Sequence, residues 1–256
     1  MRIKGLKEIA SQFDAMLIDQ FGVVHDGQKL YPGAARVLAE LHALNIPVVV
    51  MTNSGKRATP NTRRVVKMGI PREHFVDCVS SGEVAFQSLA VKNAYLIGKR
   101  GDDYDFDPIK FVDDPAQAEV VLILGSNAPE TSLEDYRKIF ATIKLPAICC
   151  NPDKLMLTSK GLQPAPGAIA DLYQSMGGEV TSIGKPYSGI YVHALKLLRN
   201  PKRVLCIGDS AEHDVAGGRG AGLKTLLVQQ GISTNVQESQ IHPYPDYIMR
   251  EFVWDA

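Results

Sequence analysis

Three hydrophobic runs in the 256-residue chain end in reactive polar groups: AMLI on Asp19, IPVVVM on Thr52 (then Asn53 and Ser54), and RVLCIG on Asp209. A fourth such group, Lys185, stands in SIGKP, where a short strand meets Pro186. Carboxylates, a hydroxyl and an ammonium are the groups of nucleophilic and acid–base catalysis. An acid after a strand is also a common loop starter or helix cap, so none of these residues carries a function alone. The ordered set is more specific, because ligands in an open parallel sheet sit at the carboxyl ends of the strands.

The elements that would position these groups alternate. AMLID (15–19) and the valine-rich IPVVVMT (46–52) are predicted buried strands. Between them, PGAARVLAELHALN (32–45) spaces Val37, Leu41 and Leu44 as a helix does, with Pro32 near its start and Asn45 at its end. ATPNTRRVVKMGI reads as a helix stopped by Gly69, and Ser80 or Ser81 can cap another, EVAFQSLA. Near the other end come the strand RVLCIGD (203–209), the polar helix AEHDVAGGRGAG and the strand KTLLVQQ (224–230). The middle is a second βα unit, with strands AYLIG (94–98), EVVLILG (119–125) and PAICC, and helices SLEDYRKIFATI and PGAIADLYQSMG. Continuous apolar strands alternating with helices predict a parallel sheet covered on both faces.

Several features are read as packing or turns. DDYDFDP (102–108) is expected to be a solvated loop, since it lacks the ligand spacing of a calcium loop. AGGRGAG precedes a strand and lacks the order of a dinucleotide fingerprint, so it is a helix-to-strand turn. Cys206 and Met51 sit in apolar strands as core, and the adjacent Cys149 and Cys150 should face opposite sides of theirs. Cysteines at 78, 149, 150 and 206 form no C-x-x-C, which predicts reduced thiols in a cytoplasmic protein.

Composition excludes some classes. The chain is 45% hydrophobic and 22% charged, as globular proteins are. Lysine plus arginine equals aspartate plus glutamate, 28 each, so no basic excess points to nucleic acid or an anionic membrane. MRIKGLKEIASQFD has no apolar core like that of a signal peptide. No apolar run approaches the roughly 20 residues that span a bilayer.

The ordered set resembles the haloacid dehalogenase (HAD) superfamily over nearly the whole chain. The matching motifs are LIDQFGVV, VVVMTNSG, GKP with Lys185, and IGDSAEHD with Asp209 and Asp214. YPGAARVL, TNSGKR, CNPDKLM and GLQPAPGAIADL are similar to its class IIA branch, the NagD-like, nitrophenyl-phosphatase-like and pyridoxal-phosphatase-like proteins. The resemblance implies an α/β fold: a Rossmann-like, doubly wound parallel core over 1–79 and 181–256, with a C2-type α/β cap inserted at 80–180. It implies a phosphatase that uses Mg²⁺ and forms an aspartyl-phosphate on Asp19. Asp19, the Phe21 backbone carbonyl and Asp209 would hold the ion, with Asp214 in the outer shell. Lys185 would orient nucleophile and phosphate, and Thr52, Asn53 and Ser54 would bind phosphoryl oxygens. Asn151 and Asp153, in the N-P-D after a cap strand, either meet substrate or form an ordinary turn.

Phe21 departs from the family pattern. Class members usually read D-x-D-G where this chain reads Asp19-Gln20-Phe21-Gly22. The second acid normally protonates the leaving alcohol, and phenylalanine cannot. His25 is a candidate substitute, because histidine titrates near neutrality, against the alternative of a simply solvated loop histidine. Three readings stay open: a phosphatase slow or restricted to good leaving groups, a catalytically impaired protein that binds a phosphorylated metabolite as a sensor, or an aspartyl-phosphate that transfers its phosphoryl group. The first accounts best for the retained set. The expected partner is a small phosphorylated metabolite, neither nucleic acid nor membrane, and a homodimer through the cap is open.

Overall fold

The computed structural model describes residues 1–158 and 161–255. In chain order the elements begin with β1 (Ala15–Asp19), α1 (Ala34–Ala43), β2 (Val48–Thr52), α2 (Ala58–Lys67), β3 (Asp77–Ser80) and α3 (Ser81–Ser88). The middle supplies β4 (Asn93–Ile97), β5 (Lys110–Val112), β6 (Val120–Ile123), α4 (Leu133–Phe140), β7 (Ala147–Cys149), β8 (Leu155–Thr158), β9 (Gly161–Pro164), α5 (Pro166–Ser175) and β10 (Val180–Ser182). The chain closes with α6 (Ser188–Leu197), β11 (Val204–Gly208), α7 (Ala216–Gly220), β12 (Lys224–Val228) and β13 (Tyr247–Met249). A π-helical turn, Ala211–Val215, leads into α7. No described helix is long and apolar enough to cross a membrane.

The fold is α/β, in two compact units. One comprises 1–52, 61–79 and 185–256; the other comprises 53–60 and 80–184. The first is built on a six-stranded sheet in the order β13-β12-β11-β1-β2-β3. Every residue of β1, β2 and β11 is buried, which explains their unbroken apolar sequences. β1 pairs in parallel with β2 on one side and β11 on the other. The chain therefore leaves β1 in one direction and returns to its other side through β11. That reversal opens a crevice beyond the carboxyl ends of β1 and β11, the usual ligand position in such sheets.

The second unit holds a parallel sheet, β10-β7-β6-β4-β5, and the antiparallel hairpin β8–β9. On one face Val121, Ile123 and Cys149 pack with Tyr136 and Phe140 of α4 and Ile169 and Tyr173 of α5. On the other, Leu96, Leu122 and Cys150 pack with Ala85 and Phe86 of α3 and with Tyr104 and Phe106. Cys149 and Cys150 thus face opposite sides, as strand geometry requires. The solvated-loop expectation for 102–108 is corrected here. Asp102, Asp103 and Asp107 are exposed, but Tyr104 and Phe106 are core residues. The Tyr104 hydroxyl accepts the Lys99 N–H at 3.0 Å.

Candidate active site

Asp19 is the last residue of β1 and lies opposite Met51 of β2, one residue before Thr52. Asp209 follows the last residue of β11. The parallel register therefore sets Asp19, Thr52 and Asp209 at three neighbouring strand ends. Asp214 comes from the π-helical turn after β11. Gly208 admits it closely: a Cβ there would fall 1.9 Å from the Asp214 carboxyl carbon. The Asp214 carboxylate also accepts the Ser210 N–H at 3.1 Å.

Lys185 ties these acids together. Its ammonium donates to Asp19 Oδ1 and to Asp214 Oδ1, both at 2.6 Å. The Asp19, Asp209 and Asp214 oxygens lie within 4.8 Å of one another, and all three residues are buried. Burial pushes the Asp19 and Asp209 carboxyls up, and repulsion among the acids adds to this; Asp209 is raised to about 7. Burial works against the Lys185 charge, but Asp19 and Asp214 outweigh it and hold the ammonium protonated. Three buried carboxylates face one ammonium, a formal excess of two negative charges. All the offered ligand atoms are hard oxygens, so a divalent cation such as Mg²⁺ fits the donor set.

Backbone approach completes the surroundings. Gly22 (φ +93°) lies so close to Asp209 that a Cβ would fall 1.9 Å from Asp209 Oδ2, which brings the peptide after Phe21 against that carboxylate. Asp209 Oδ2 accepts the Ile232 N–H at 2.8 Å, and the Ser233 hydroxyl donates to the Asp209 carbonyl. Gln230 positions this loop. Its amide donates to the Gly22 and Val23 carbonyls at 3.2 Å each, while its oxygen accepts the Phe252 N–H at 2.9 Å. Sequence reasoning missed Gln230, Gly22 and the 231–233 turn; only the glycines of FGVV and QQG hinted at close backbone approach.

Asn53, Ser54, Asn151 and Asp153 fall in the second unit. The Asn53 amide donates to Asp153 Oδ1 at 2.9 Å, and its oxygen accepts from Ser81 Oγ at 3.3 Å. Asn151 Oδ1 accepts the Asp153 N–H at 3.0 Å, which closes a turn over Pro152. The 53–58 loop is further held by a bidentate pair: Arg57 donates to Glu83 at 3.0 Å through both Nε and Nη2. Glu83 also accepts the Ala58 N–H at the start of α2. Neither Arg57 nor Glu83 was singled out from the sequence.

His25 is not the solvated residue its loop position suggested. It is fully buried, and Nδ1 accepts the Gly27 N–H at 2.9 Å. Burial, then the charge of Arg64, lowers its pKa to about 4. It is therefore neutral near pH 7, which removes the reason for proposing it as the missing acid.

The model of the haloacid dehalogenase-like hydrolase family matches residues 16–137, and a second HAD-hydrolase-like model matches 182–255. The chain belongs to the haloacid dehalogenase superfamily, in its class IIA branch. This HAD hydrolase is 29% identical over 240 residues to the dihydroxyacetone phosphatase of Corynebacterium glutamicum (strain R), covering 90% of this chain and 84% of that protein. It is 28% identical over 246 residues to the acid sugar phosphatase of Staphylococcus aureus, covering 91% and 93%. Its fold matches that of a haloacid dehalogenase-like hydrolase from Brucella suis 1330 with a TM-score of 0.88, at 24% identity over 98% of this chain and 100% of that one.

Proposed function

We propose that this HAD hydrolase is a magnesium-dependent phosphatase that acts on a small phosphorylated metabolite through an aspartyl-phosphate on Asp19. The observation that carries the reading is the buried cluster in which Lys185 bridges Asp19 and Asp214 at 2.6 Å, with Asp209 beside them. Relatives named for dihydroxyacetone and acid sugar phosphatase activity support a small phosphorylated substrate.

Asp19, Asp209 and the Phe21 carbonyl would hold the ion, with Asp214 behind them. The ion supplies positive charge that offsets the repulsion between an anionic nucleophile and an anionic phosphoryl group. Lys185 aims Asp19, and its ammonium opposes the rise that burial imposes on that carboxyl. An Asp19 oxygen bonds to phosphorus as the phosphorus–ester bond breaks, and the bonding pair leaves with the ester oxygen. The Thr52 hydroxyl and the Asn53 and Ser54 N–H groups donate to the phosphoryl oxygens as charge builds on them. Water then cleaves the aspartyl-phosphate, releasing phosphate and restoring Asp19.

A second reading, a binding module that scarcely turns over, is favoured by one observation: residue 21 offers a ring where an acid would serve turnover. Phosphate release from a panel of triose, sugar and aryl monophosphates, measured with magnesium, separates the two. Saturable turnover that disappears in Asp19→Asn supports the phosphatase. Saturable binding of the same compounds without release supports the module.

A further inference from the structure

Gln230 stands two residues past the end of β12 and is 9% exposed. Its side chain bonds only to main chain, and only to segments far away in sequence. Nε2 donates to the Gly22 and Val23 carbonyls, and Oε1 accepts the Phe252 N–H. Its own carbonyl accepts the Ser233 N–H at 3.1 Å and closes the 231–233 turn. That turn holds Asp209, through the Ile232 N–H on Oδ2 and the Ser233 hydroxyl on the carbonyl. The two segments meet at this carboxylate: a Cβ on Gly231 would fall 2.0 Å from Asp209 Oδ2 and 2.7 Å from the Gly22 Cα. One buried residue thus ties the loop after Asp19 to the turn that holds Asp209.

The carbonyls of that loop are nearly all occupied. Gln20 accepts from the Val24 and His25 N–H groups, Val24 from Tyr31 and His25 from Gly22, while Gln230 serves Gly22 and Val23. The Phe21 carbonyl alone accepts no hydrogen bond among the described residues. The Phe21–Gly22 peptide is trans. Its N–H points to the His25 carbonyl, so its C=O points the other way. We infer that Gln230 is a positioning residue for the metal: it fixes the loop that carries the Phe21 carbonyl and so raises the site's affinity for Mg²⁺ relative to Ca²⁺. This rests on the magnesium-dependent phosphatase reading and names the residue that holds the site's shape. Mg²⁺ demands a near-ideal octahedron with oxygens at about 2.0–2.1 Å, whereas Ca²⁺ accepts longer and looser arrangements. A fixed carbonyl therefore matters more to the smaller ion.

The test is metal binding, apart from any turnover. Mg²⁺ and Ca²⁺ are titrated calorimetrically into metal-free native protein, Gln230→Met and Gln230→Asn. Met keeps the length without the amide; Asn keeps the amide but is one methylene shorter; neither changes the charge. Mg²⁺ affinity should fall about tenfold in both variants, as losses behind a metal ligand do. Ca²⁺ affinity should stay within about threefold of native, so the Mg²⁺/Ca²⁺ ratio falls. Urea unfolding establishes that each variant is folded at the titration temperature, and Asn keeps a polar group in the buried position should Met not fold. A side chain that only tied down the C-terminal segment at Phe252 would lower stability and shift both affinities alike, or neither. Either result overturns the positioning role while the magnesium reading stands. Native protein that binds neither ion overturns the magnesium reading and the positioning role with it.

Discussion

Lys185 and Asp214 form a buried ion pair at 2.6 Å, and the same ammonium carries Asp19 at an equal distance. Removing one partner of such a pair strands the charge of the other in a poorly solvating interior. Lys185→Met should therefore destabilise the metal-free protein by about 3–5 kcal/mol. Adding Asp214→Asn should return part of that loss, because one stranded carboxylate is gone. Urea unfolding of the two single variants and the double variant checks this; strict additivity would show that the pair is not coupled.

Asp19→Asn should abolish phosphate release and leave the fold intact. An amide is a poor nucleophile, but it keeps the size of the side chain at the end of β1. Near-normal turnover by purified Asp19→Asn protein would remove Asp19 from the nucleophile's role.

The excess negative charge predicts stabilisation by a divalent cation apart from any turnover. Magnesium at about 100 times its dissociation constant should raise unfolding free energy by about 2.7 kcal/mol. Asp209→Ala should erase that increment, and Asp214→Ala should reduce it less if Asp214 serves the outer shell. Chelation should abolish phosphate release and magnesium should restore it. Thermal unfolding with and without the ion, and with chelator, gives the readout, and turnover unchanged in a metal-free preparation would exclude the scheme.

The strand-end acids were legible because unbroken apolar runs such as AMLI and RVLCIG mark strands buried on both faces, and the residue that ends the run ends the strand. Lys185 was legible only through its motif, since β10 is three residues long and only half-buried. What brings the acids together was not legible. The Gln230 bridge and the Gly22–Asp209 approach join residues about 200 positions apart, and no local pattern records them. Elements of three or four residues, β5, β13 and the β8–β9 hairpin, are too short to show a period. Tyr104 and Phe106 were misjudged because the aspartates around them dominate the composition, whereas the alternation of exposed and buried side chains decides the packing.

His25 links stability to pH. Its folded pKa of about 4 lies below the ordinary histidine value, owing to burial first and Arg64 second. Between about pH 4 and 6.5 the unfolded chain holds the extra proton, so stability rises with pH across that window and is fully present above it. On lowering the pH from 7.5 to 5, the native protein should lose about 2 kcal/mol more than His25→Asn, which keeps an acceptor for the Gly27 N–H but does not titrate. Urea unfolding at both pH values, in saturating magnesium, checks the difference. Equal losses would show that His25 does not enter the fold neutral.

The leaving group should report the chemistry lost at residue 21. General acid help is ordinarily worth about 10²–10⁴ in rate. Asp19, Lys185 and the Thr52 loop can still act without it, but the ester oxygen then departs largely as an anion. Rates should therefore fall steeply as the leaving alcohol becomes less acidic, with aryl or acyl phosphates well ahead of simple alkyl phosphates. Phe21→Asp places a carboxyl at the vacant position and should raise the rate on an alkyl ester more than on an aryl ester. The gain should stay below the full range, because a seat shaped by His25 and Gly27 for a ring does not aim a shorter carboxyl. The measurement is phosphate release from one aryl and one alkyl monophosphate by native and Phe21→Asp protein. If native protein hydrolyses both equally well with chemistry limiting, another group supplies the proton. The pH dependence of the alkyl reaction then gives that group's pKa, and an acid that titrates between pH 5 and 9 is not His25, whose pKa lies at about 4.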